Sequence, residues 1–315
     1  MTGGNGSRLA ELGYRAGWRL VRSVPEPLAA RAFGFGADRA ARGGGPAVAQ
    51  LRRNLARVVP GAPAEELDDL VRRGLRSYAR YWREAFRLPS MDHAALHARL
   101  DGAVEGVSHL DAALAAGRGV VVVLPHTGNW DLAGVWLVGR CGEFSTVAER
   151  LRPEALYRRF EEYRRSLGFD VVPLTGEAQS PTLRLARRLR SGGVVCLLAD
   201  RDLTESGVTV DLFGAPARLP SGPARLAAAT GAVLLPFGCW FAPDGWGMCF
   251  HPPVSVRGGS EVTGATQAVA GRFAADIAEH PEDWHMLQPL WLADLPAATD
   301  LHAATDIPAA TARTG

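Results

Sequence analysis

The sequence has 315 residues, 47 % of them hydrophobic, so it can bury a substantial core in one large domain or two modest ones. Its formal net charge is only +2, which excludes the strongly basic composition typical of nucleic-acid-binding proteins. Its four cysteines form no C-x-x-C pair, which disfavours a disulfide framework or a zinc knuckle.

The N-terminal segment 7–22 is predicted to form a basic amphipathic helix. On a helical wheel, four arginines fall in one arc beside an apolar face: Arg8, Arg15, Arg19 and Arg22. Such a helix either lies in a membrane interface, with Trp18 at the boundary, or packs on the core as a surface helix. No stretch has the length of a membrane span, and the start of the chain lacks the pattern of a signal peptide, so we expect a cytoplasmic protein.

The remaining chain begins with helices and continues as alternating strands and helices. The first helices are predicted at 48–59 and 64–88, after a linker that ends near residue 45. Strands are predicted at the valine run from 120 and at 145–148, 170–174, 194–199, 208–212, 232–241 and 248–256, and helices at 154–167, 181–190, 222–229 and 263–279. This order predicts one α/β domain over 1–295, a mixed β-sheet with helices on both faces. The Ala/Thr/Pro-rich tail 296–315 is predicted to be disordered.

The segment V-V-V-V-L-P-H-T-G-N-W-D, residues 120–131, carries the strongest chemical signal. A buried strand stops at Pro125 and delivers His126 to the mouth of the sheet, and Thr127 or Asn129 can cap the helix that follows. Asp131 then lies in the first turn of that helix and can converge on the same cleft. An imidazole oriented by a carboxylate suits proton removal from a hydroxyl, although a histidine after a strand is often only a satisfied polar residue.

Several motifs together resemble one enzyme family over residues 8–294. They are H-T-G-N-W-D (126–131), A-E-R-L-R-P (148–153), L-L-A-D-R-D-L (197–203), F-G (213–214) with P-S-G-P (220–223), and H-P-E-D-W-H-M-L-Q (280–288). The chain resembles the phosphatidylinositol mannoside acyltransferases, the actinobacterial branch of the lipid A biosynthesis (lauroyl/myristoyl) acyltransferases. The resemblance implies a glycerolipid-acyltransferase-like fold and transfer of a fatty acyl group from acyl-CoA to a mannose hydroxyl. It also implies that the reaction takes place at the cytoplasmic face of the inner membrane. This location favours the interpretation of segment 7–22 as a helix that lies in the membrane interface.

The resemblance also implies roles for particular residues. His126 is expected to be the general base, with Asp131 and Asp200 as catalytic carboxylates. We expect a glutamate at position 200 in this branch, so Asp200 is a departure that shortens the side chain by one methylene. Expected substrate-binding residues are Asn129, Glu149, Arg150, Arg164, Arg201, Trp284 and His285. Each of these roles has a simpler alternative. The arginines of helix 154–167 can form a solvated basic face, Glu149 and Arg150 can form an ion pair, and Trp284 can simply pack in the core.

The expected chemistry needs no cofactor and no metal, because acyl-CoA is a co-substrate and no His/Asp/Glu set has metal-ligand spacing. No G-x-S-x-G serine elbow is present and no cysteine has a histidine neighbour in sequence, which favours direct transfer over a covalent acyl-enzyme. Three alternatives remain open: another glycolipid acceptor, an acyl-CoA thioesterase, and a catalytically silent membrane-bound protein.

Overall fold

A computed structural model describes residue 18 and residues 20–148, 154–175, 180–202 and 206–295. The predicted disordered tail lies outside these residues, and so does most of the predicted amphipathic helix. Trp18 and residues 20–22 of that helix are described and helical. Trp18 packs against Phe86 and Tyr163, with ring centroids 5.3 and 5.7 Å away, so this end of the helix is attached to the protein core.

Ten further α-helices occur in the described part of the chain. The first four are α1 (Glu26–Gly43), α2 (Pro46–Val58), α3 (Ala64–Arg87) and α4 (His93–Asp101). The other six are α5 (Val107–Ala115), α6 (Trp130–Cys141), α7 (Glu154–Ser166), α8 (Pro181–Arg190), α9 (Gly222–Thr230) and α10 (Val262–Glu279). Short 3-10 turns cover Leu88–Ser90, Gly259–Glu261, Pro281–Asp283 and Leu292–Asp294.

Nine described strands form one large sheet and one hairpin. They are β1 (Val104–Glu105), β2 (Val120–Leu124), β3 (Phe144–Ala148), β4 (Phe169–Pro173), β5 (Val194–Leu198), β6 (Val208–Leu212), β7 (Ala215–Leu219), β8 (Val233–Ala242) and β9 (Gly245–Phe250). The seven-stranded sheet has the order β1-β9-β8-β2-β5-β3-β4, and β6 pairs with β7. Only β8 and β9 pair antiparallel within the large sheet, so the prediction of a mixed α/β sheet is confirmed.

Helices cover both faces of the sheet, and the central strand β2 contributes to both cores. Val121 and Val123 pack with residues of α2, α8, α9 and α10, whereas Val120, Val122 and Leu124 pack with residues of α4, α5 and α6. Because neighbouring strand residues point to opposite faces, a strand covered on both sides must be apolar throughout. This requirement explains the uninterrupted V-V-V-V-L run.

The structure corrects the sequence-based elements in three places. The stretch assigned to a linker before residue 45 contains α1, an alanine-rich helix without a long apolar stripe. Strand β7, which was not predicted, completes a hairpin through Phe213 and Gly214, both with positive φ. Strand β9 ends at Phe250, before Pro252 and Pro253, rather than continuing to residue 256.

No described helix combines the length and the apolar character that crossing a bilayer requires. This finding agrees with the absence of an apolar run of about 18 residues in the sequence.

Candidate active site

The register of two neighbouring parallel strands brings His126 and Asp200 together. Leu124, the last residue of β2, pairs with Leu198, the last residue of β5, and the ladder continues with a bond from the Ala199 amide to the Leu124 carbonyl. His126 and Asp200 each lie two residues beyond a paired leucine, at the carboxyl edge of the sheet. Ligand sites of open α/β sheets lie outside this edge.

The imidazole of His126 and the carboxylate of Asp200 form a hydrogen-bonded dyad. His126 Nδ1 lies 2.6 Å from Asp200 Oδ1. Because an ionised carboxylate only accepts hydrogen bonds, Nδ1 carries the proton and Nε2 keeps a free lone pair. No described residue hydrogen-bonds His126 Nε2, and the His126 side chain is 28 % exposed, whereas the Asp200 side chain is 3 % exposed. The dyad therefore combines an accessible basic nitrogen, Nε2 of His126, with the buried carboxylate of Asp200.

Asp200 stays ionised although it is buried. Burial alone would raise its pKa, but electrostatic attraction to the His126 ring and hydrogen bonds from that ring, from the His126 backbone N–H and from Trp284 outweigh burial and hold the pKa below the usual value. The second carboxylate oxygen, Oδ2, accepts from the His126 backbone N–H at 2.9 Å and from Trp284 Nε1 at 3.0 Å. The shorter side chain at position 200 thus reaches the imidazole without help from a second carboxylate.

Asp131 occupies a different environment from the one expected. It is buried, and its carboxylate accepts hydrogen bonds from Tyr81 at 2.9 Å, from Tyr163 at 3.4 Å and from Arg164 Nε at 3.2 Å. No described hydrogen bond joins Asp131 to His126. Burial, followed by the negative charge of Asp131, raises the pKa of both tyrosines well above the usual value, so they remain donors. The start of helix α6 thus places Asp131 in a buried hydrogen-bonded cluster with Tyr81, Tyr163 and Arg164, separate from the bond between His126 and Asp200.

Arg164 and Asn129, both expected to bind substrate, have structural partners in the described protein. Arg164 on α7 pairs with Asp131, and its side chain is mostly buried. Asn129 is buried, caps α6 by accepting from the Leu132 amide at 3.0 Å, and donates to Glu84 at 2.8 Å. The prediction of a helix cap at Asn129 is confirmed, and both polar ends of its amide are engaged within the protein.

Gly128, between His126 and the helix cap, allows a close approach of two backbone segments. Its φ is +54°, and a Cβ at this position would lie 2.8 Å from the Cys239 carbonyl oxygen of β8. Only glycine accommodates both conditions without strain. The glycine of the H-T-G-N-W-D motif therefore lets the loop after β2 pass tightly over β8.

Trp284 and His285 lie behind the dyad rather than in front of it. Both are buried; the indole of Trp284 contacts Asp200, as given above, and the His285 amide donates to the His126 carbonyl at 2.8 Å. Burial, and next the nearby His126, lowers the pKa of His285 to about 3, so its ring is neutral near pH 7. The ring nitrogen Nε2 of His285 lies 2.8 Å from Ser77 Oγ.

Of the remaining expected site residues, the structure describes Arg201 but not Glu149 or Arg150. Arg201 follows Asp200 and is half-buried. Glu149 and Arg150 follow strand β3 in the sequence and lie outside the described residues. Their predicted contacts with the acceptor stay predictions.

Sequence reasoning missed a polar face of α3 that supports the site. Ser77 donates to Asp283 at 2.6 Å, Tyr81 donates to Asp131, and Glu84 accepts from Asn129 and from Trp246. The spacings of four and three residues place Ser77, Tyr81 and Glu84 on one helix face. These polar residues beside the apolar stripe of an amphipathic helix were the signal that could have revealed them.

The described residues contain no group of three or more His, Cys, Asp or Glu side chains arranged to hold a metal ion. Comparison with known proteins identifies the family of the chain. A family model of bacterial lipid A biosynthesis acyltransferases matches residues 9–293. The chain belongs to this family.

Two groups of relatives extend the similarity over most of the chain. A phosphatidylinositol mannoside acyltransferase of Mycolicibacterium smegmatis is 60 % identical over 290 residues, which are 92 % of this chain and 94 % of the relative. Proteins of the same name from Mycobacterium tuberculosis strains CDC 1551 and H37Rv are 57 % identical over 282 residues, which are 90 % of this chain and 88 % of each relative. The family resemblance read from the motifs is therefore confirmed.

Proposed function

We propose that this protein transfers a long-chain fatty acyl group from acyl-CoA to a mannose hydroxyl of a phosphatidylinositol mannoside. The observation that carries the proposal is the His126–Asp200 dyad, whose Nε2 is accessible and has no described hydrogen-bond partner. The names of the mycobacterial relatives support the choice of acceptor.

His126 acts as the general base in a direct transfer. Nε2 removes the proton of the acceptor hydroxyl while the hydroxyl oxygen attacks the thioester carbonyl and forms the new C–O bond. The resulting oxyanion collapses, the C–S bond breaks, and the departing CoA thiolate takes the proton from the imidazolium. Asp200 holds the ring and stabilises its positive charge, and a base positioned in this way contributes about 10²- to 10⁴-fold in rate.

An acyl-enzyme intermediate has no support among the described residues. The only described hydrogen bond of the His126 ring is the one that it donates to Asp200, so no described serine or cysteine is activated by the imidazole. Burial raises the pKa of Cys141 to about 11 and that of Cys196 to about 12, which keeps both thiols protonated. The simplest mechanism therefore has both substrates bound at once.

We predict that purified protein supplied with radiolabelled palmitoyl-CoA transfers label to a phosphatidylinositol mannoside. The competing acceptors are glycerol 3-phosphate and a lipid A precursor, and label in free fatty acid reports hydrolysis. Preference for another lipid acceptor would overturn the assigned substrate and leave acyl transfer standing. Label that appears only in free acid, with every acceptor present, would instead show a thioesterase.

We also propose that the protein binds peripherally to the cytoplasmic face of the inner membrane. Helix α1 carries one exposed stripe of Leu28, Arg31, Phe35, Arg39 and Arg42 opposite its buried Ala29 and Ala37. Leu28 is 53 % and Phe35 66 % exposed, and the two lie on the same face of α1, where they can insert together into the apolar edge of a bilayer. Arginines beside them suit anionic headgroups.

The double variant Leu28→Asp/Phe35→Asp is expected to sediment with anionic phospholipid vesicles about tenfold less than the wild type, because two apolar anchors are replaced by charges. Leu183→Asp on α8 is the matched control, since Leu183 is 54 % exposed but lies on another face. Equal vesicle binding by all three proteins would contradict an interfacial role for α1.

A further inference from the structure

We propose that Trp284 is a positioning residue of the His126–Asp200 dyad, whose indole N–H fixes the Asp200 carboxylate in the orientation that directs Nε2 of His126 toward the substrate. This inference rests on the proposed function and assigns Trp284 a role other than substrate contact. The side chain is fully buried, at 0 % exposure, and therefore does not reach a bound substrate.

The two oxygens of Asp200 have separate tasks. Oδ1 binds the imidazole Nδ1, and Oδ2 accepts from both the His126 amide and Trp284 Nε1. A carboxylate can rotate about its Cβ–Cγ bond and exchange its oxygens, and two donors converging on Oδ2 oppose that rotation. Because the indole is shielded from water, no solvent molecule competes with Trp284 Nε1 for Asp200 Oδ2.

The position of Trp284 is itself fixed by the backbone around it. Residues 283–285 run beside residues 126–128: the Gly128 amide donates to the Asp283 carbonyl at 2.9 Å, and Thr127 pairs with Trp284 in an antiparallel bridge. The His285 amide completes this ladder with the bond to His126 described above. The imidazole and the indole that act on Asp200 thus belong to two backbone segments held in one register.

Asp283 anchors this segment to the rest of the protein. Its Oδ1 accepts from Ser77 Oγ of α3 at 2.6 Å, and its Oδ2 accepts from the Phe241 amide of β8 at 2.7 Å. The segment is therefore tied to a helix and to the sheet at once, and Trp284 cannot shift toward or away from Asp200 without breaking these bonds.

Removing only the indole N–H should weaken catalysis without weakening substrate binding. Loss of a hydrogen bond to a charged group, converted into rate, predicts that kcat falls about 10- to 100-fold, with KM unchanged. The carboxylate also becomes a stronger partner for the imidazolium, so the acid limb of the kcat/KM profile should move to higher pH.

Trp291 offers a matched control for this change. It is equally buried, at 1 % exposure, and packs edge-on against Trp284 with ring centroids 6.0 Å apart, but its Nε1 donates at 3.0 Å to the Leu212 carbonyl and not to the dyad. Trp284→Phe and Trp291→Phe each remove one buried indole and one hydrogen bond. A purely structural role of Trp284 would make the two variants lose activity to the same extent.

The experiment compares wild type, Trp284→Phe and Trp291→Phe in acyl transfer across pH and in the NMR titration of the His126 ring. That ring signal is identified by its absence in His126→Ala. We expect a lower kcat, an unchanged KM and an upward move of both the acid limb and the ring titration in Trp284→Phe only. Profiles that coincide in all three proteins, or equal losses in both variants, would overturn the inference.

A second replacement guards against misfolding of Trp284→Phe. A benzothiophene analogue of tryptophan at position 284 exchanges the N–H for sulfur and keeps both rings, so it should reproduce the kinetic and titration changes. A folded analogue that matches the wild type in both measurements would also overturn the inference. Because the NMR titration needs no substrate, it tests the positioning role even if the wild type fails to transfer acyl groups, an outcome that would count against the proposed function alone.

Discussion

Replacing His126 with alanine is expected to abolish acyl transfer while the protein stays folded. The substitution removes the only basic nitrogen of the dyad, and we predict that kcat falls by about 10³-fold or more. Asp200 retains the His126 amide and Trp284 as donors, so its buried charge is not left without partners. The rate of label transfer from palmitoyl-CoA measures the first effect, and the thermal midpoint measures the second.

A His126→Ala protein that keeps more than a few per cent of the wild-type rate would show that Nε2 is not the base. The thermal midpoint serves as the control, because the His126 side chain is partly exposed and contributes less to the core than its buried neighbours. A large fall in that midpoint would assign the lost activity to unfolding instead.

Asp200→Asn should be almost as damaging, for a reason that the hydrogen bonds specify. Two N–H donors, from His126 and Trp284, meet at the Oδ2 position, so the amide oxygen of asparagine settles there. Its NH₂ group then faces Nδ1, which must become an acceptor, and the imidazole proton moves to Nε2. With Nε2 protonated the base is blocked, and we expect kcat to fall by about 10³- to 10⁴-fold with little change in KM.

Asp131→Asn is expected mainly to lower the stability of the fold, in contrast to Asp200→Asn, which is expected mainly to lower kcat. Arg164 lies on Asp131 in a buried pair, and removing the carboxylate leaves a guanidinium without its counter-charge. The free energy of unfolding should fall by about 3–5 kcal/mol. Denaturant unfolding separates the two variants: equal stability loss in both, or a catalytic loss in Asp200→Asn no greater than that of Asp131→Asn, would contradict the division of roles between these carboxylates.

The sequence predicted the sheet and the position of His126 at a strand exit because both depend on local patterns. An apolar run ended by proline identifies a buried strand and its exit, and the cap at Asn129 follows from residue type alone. Choosing between Asp131 and Asp200 as partner of His126 was beyond local reasoning. That choice depends on the pairing of Leu124 with Leu198, a contact between strands far apart in the chain.

The residues that hold the dyad in place could not be predicted from the sequence for a similar reason. Ser77 and Asp283 are ordinary polar residues in sequence, and their hydrogen bond joins segments separated by 206 positions. Trp284 was assigned to the substrate side because its motif is shared with acyltransferases, whereas its burial places it behind Asp200. Side-chain direction, unlike element type, is decided by the packing of the whole domain.

Segment 283–285 is the last part of the dyad's surroundings to be synthesised. It follows His126 by about half the length of the protein, so during synthesis the ribosome releases it long after β2 and β5 have emerged. Until then the histidine lacks the backbone ladder and the indole that orient its carboxylate. A chain that ends before residue 283 therefore lacks both the indole donor to Asp200 and the backbone hydrogen bonds that run beside His126.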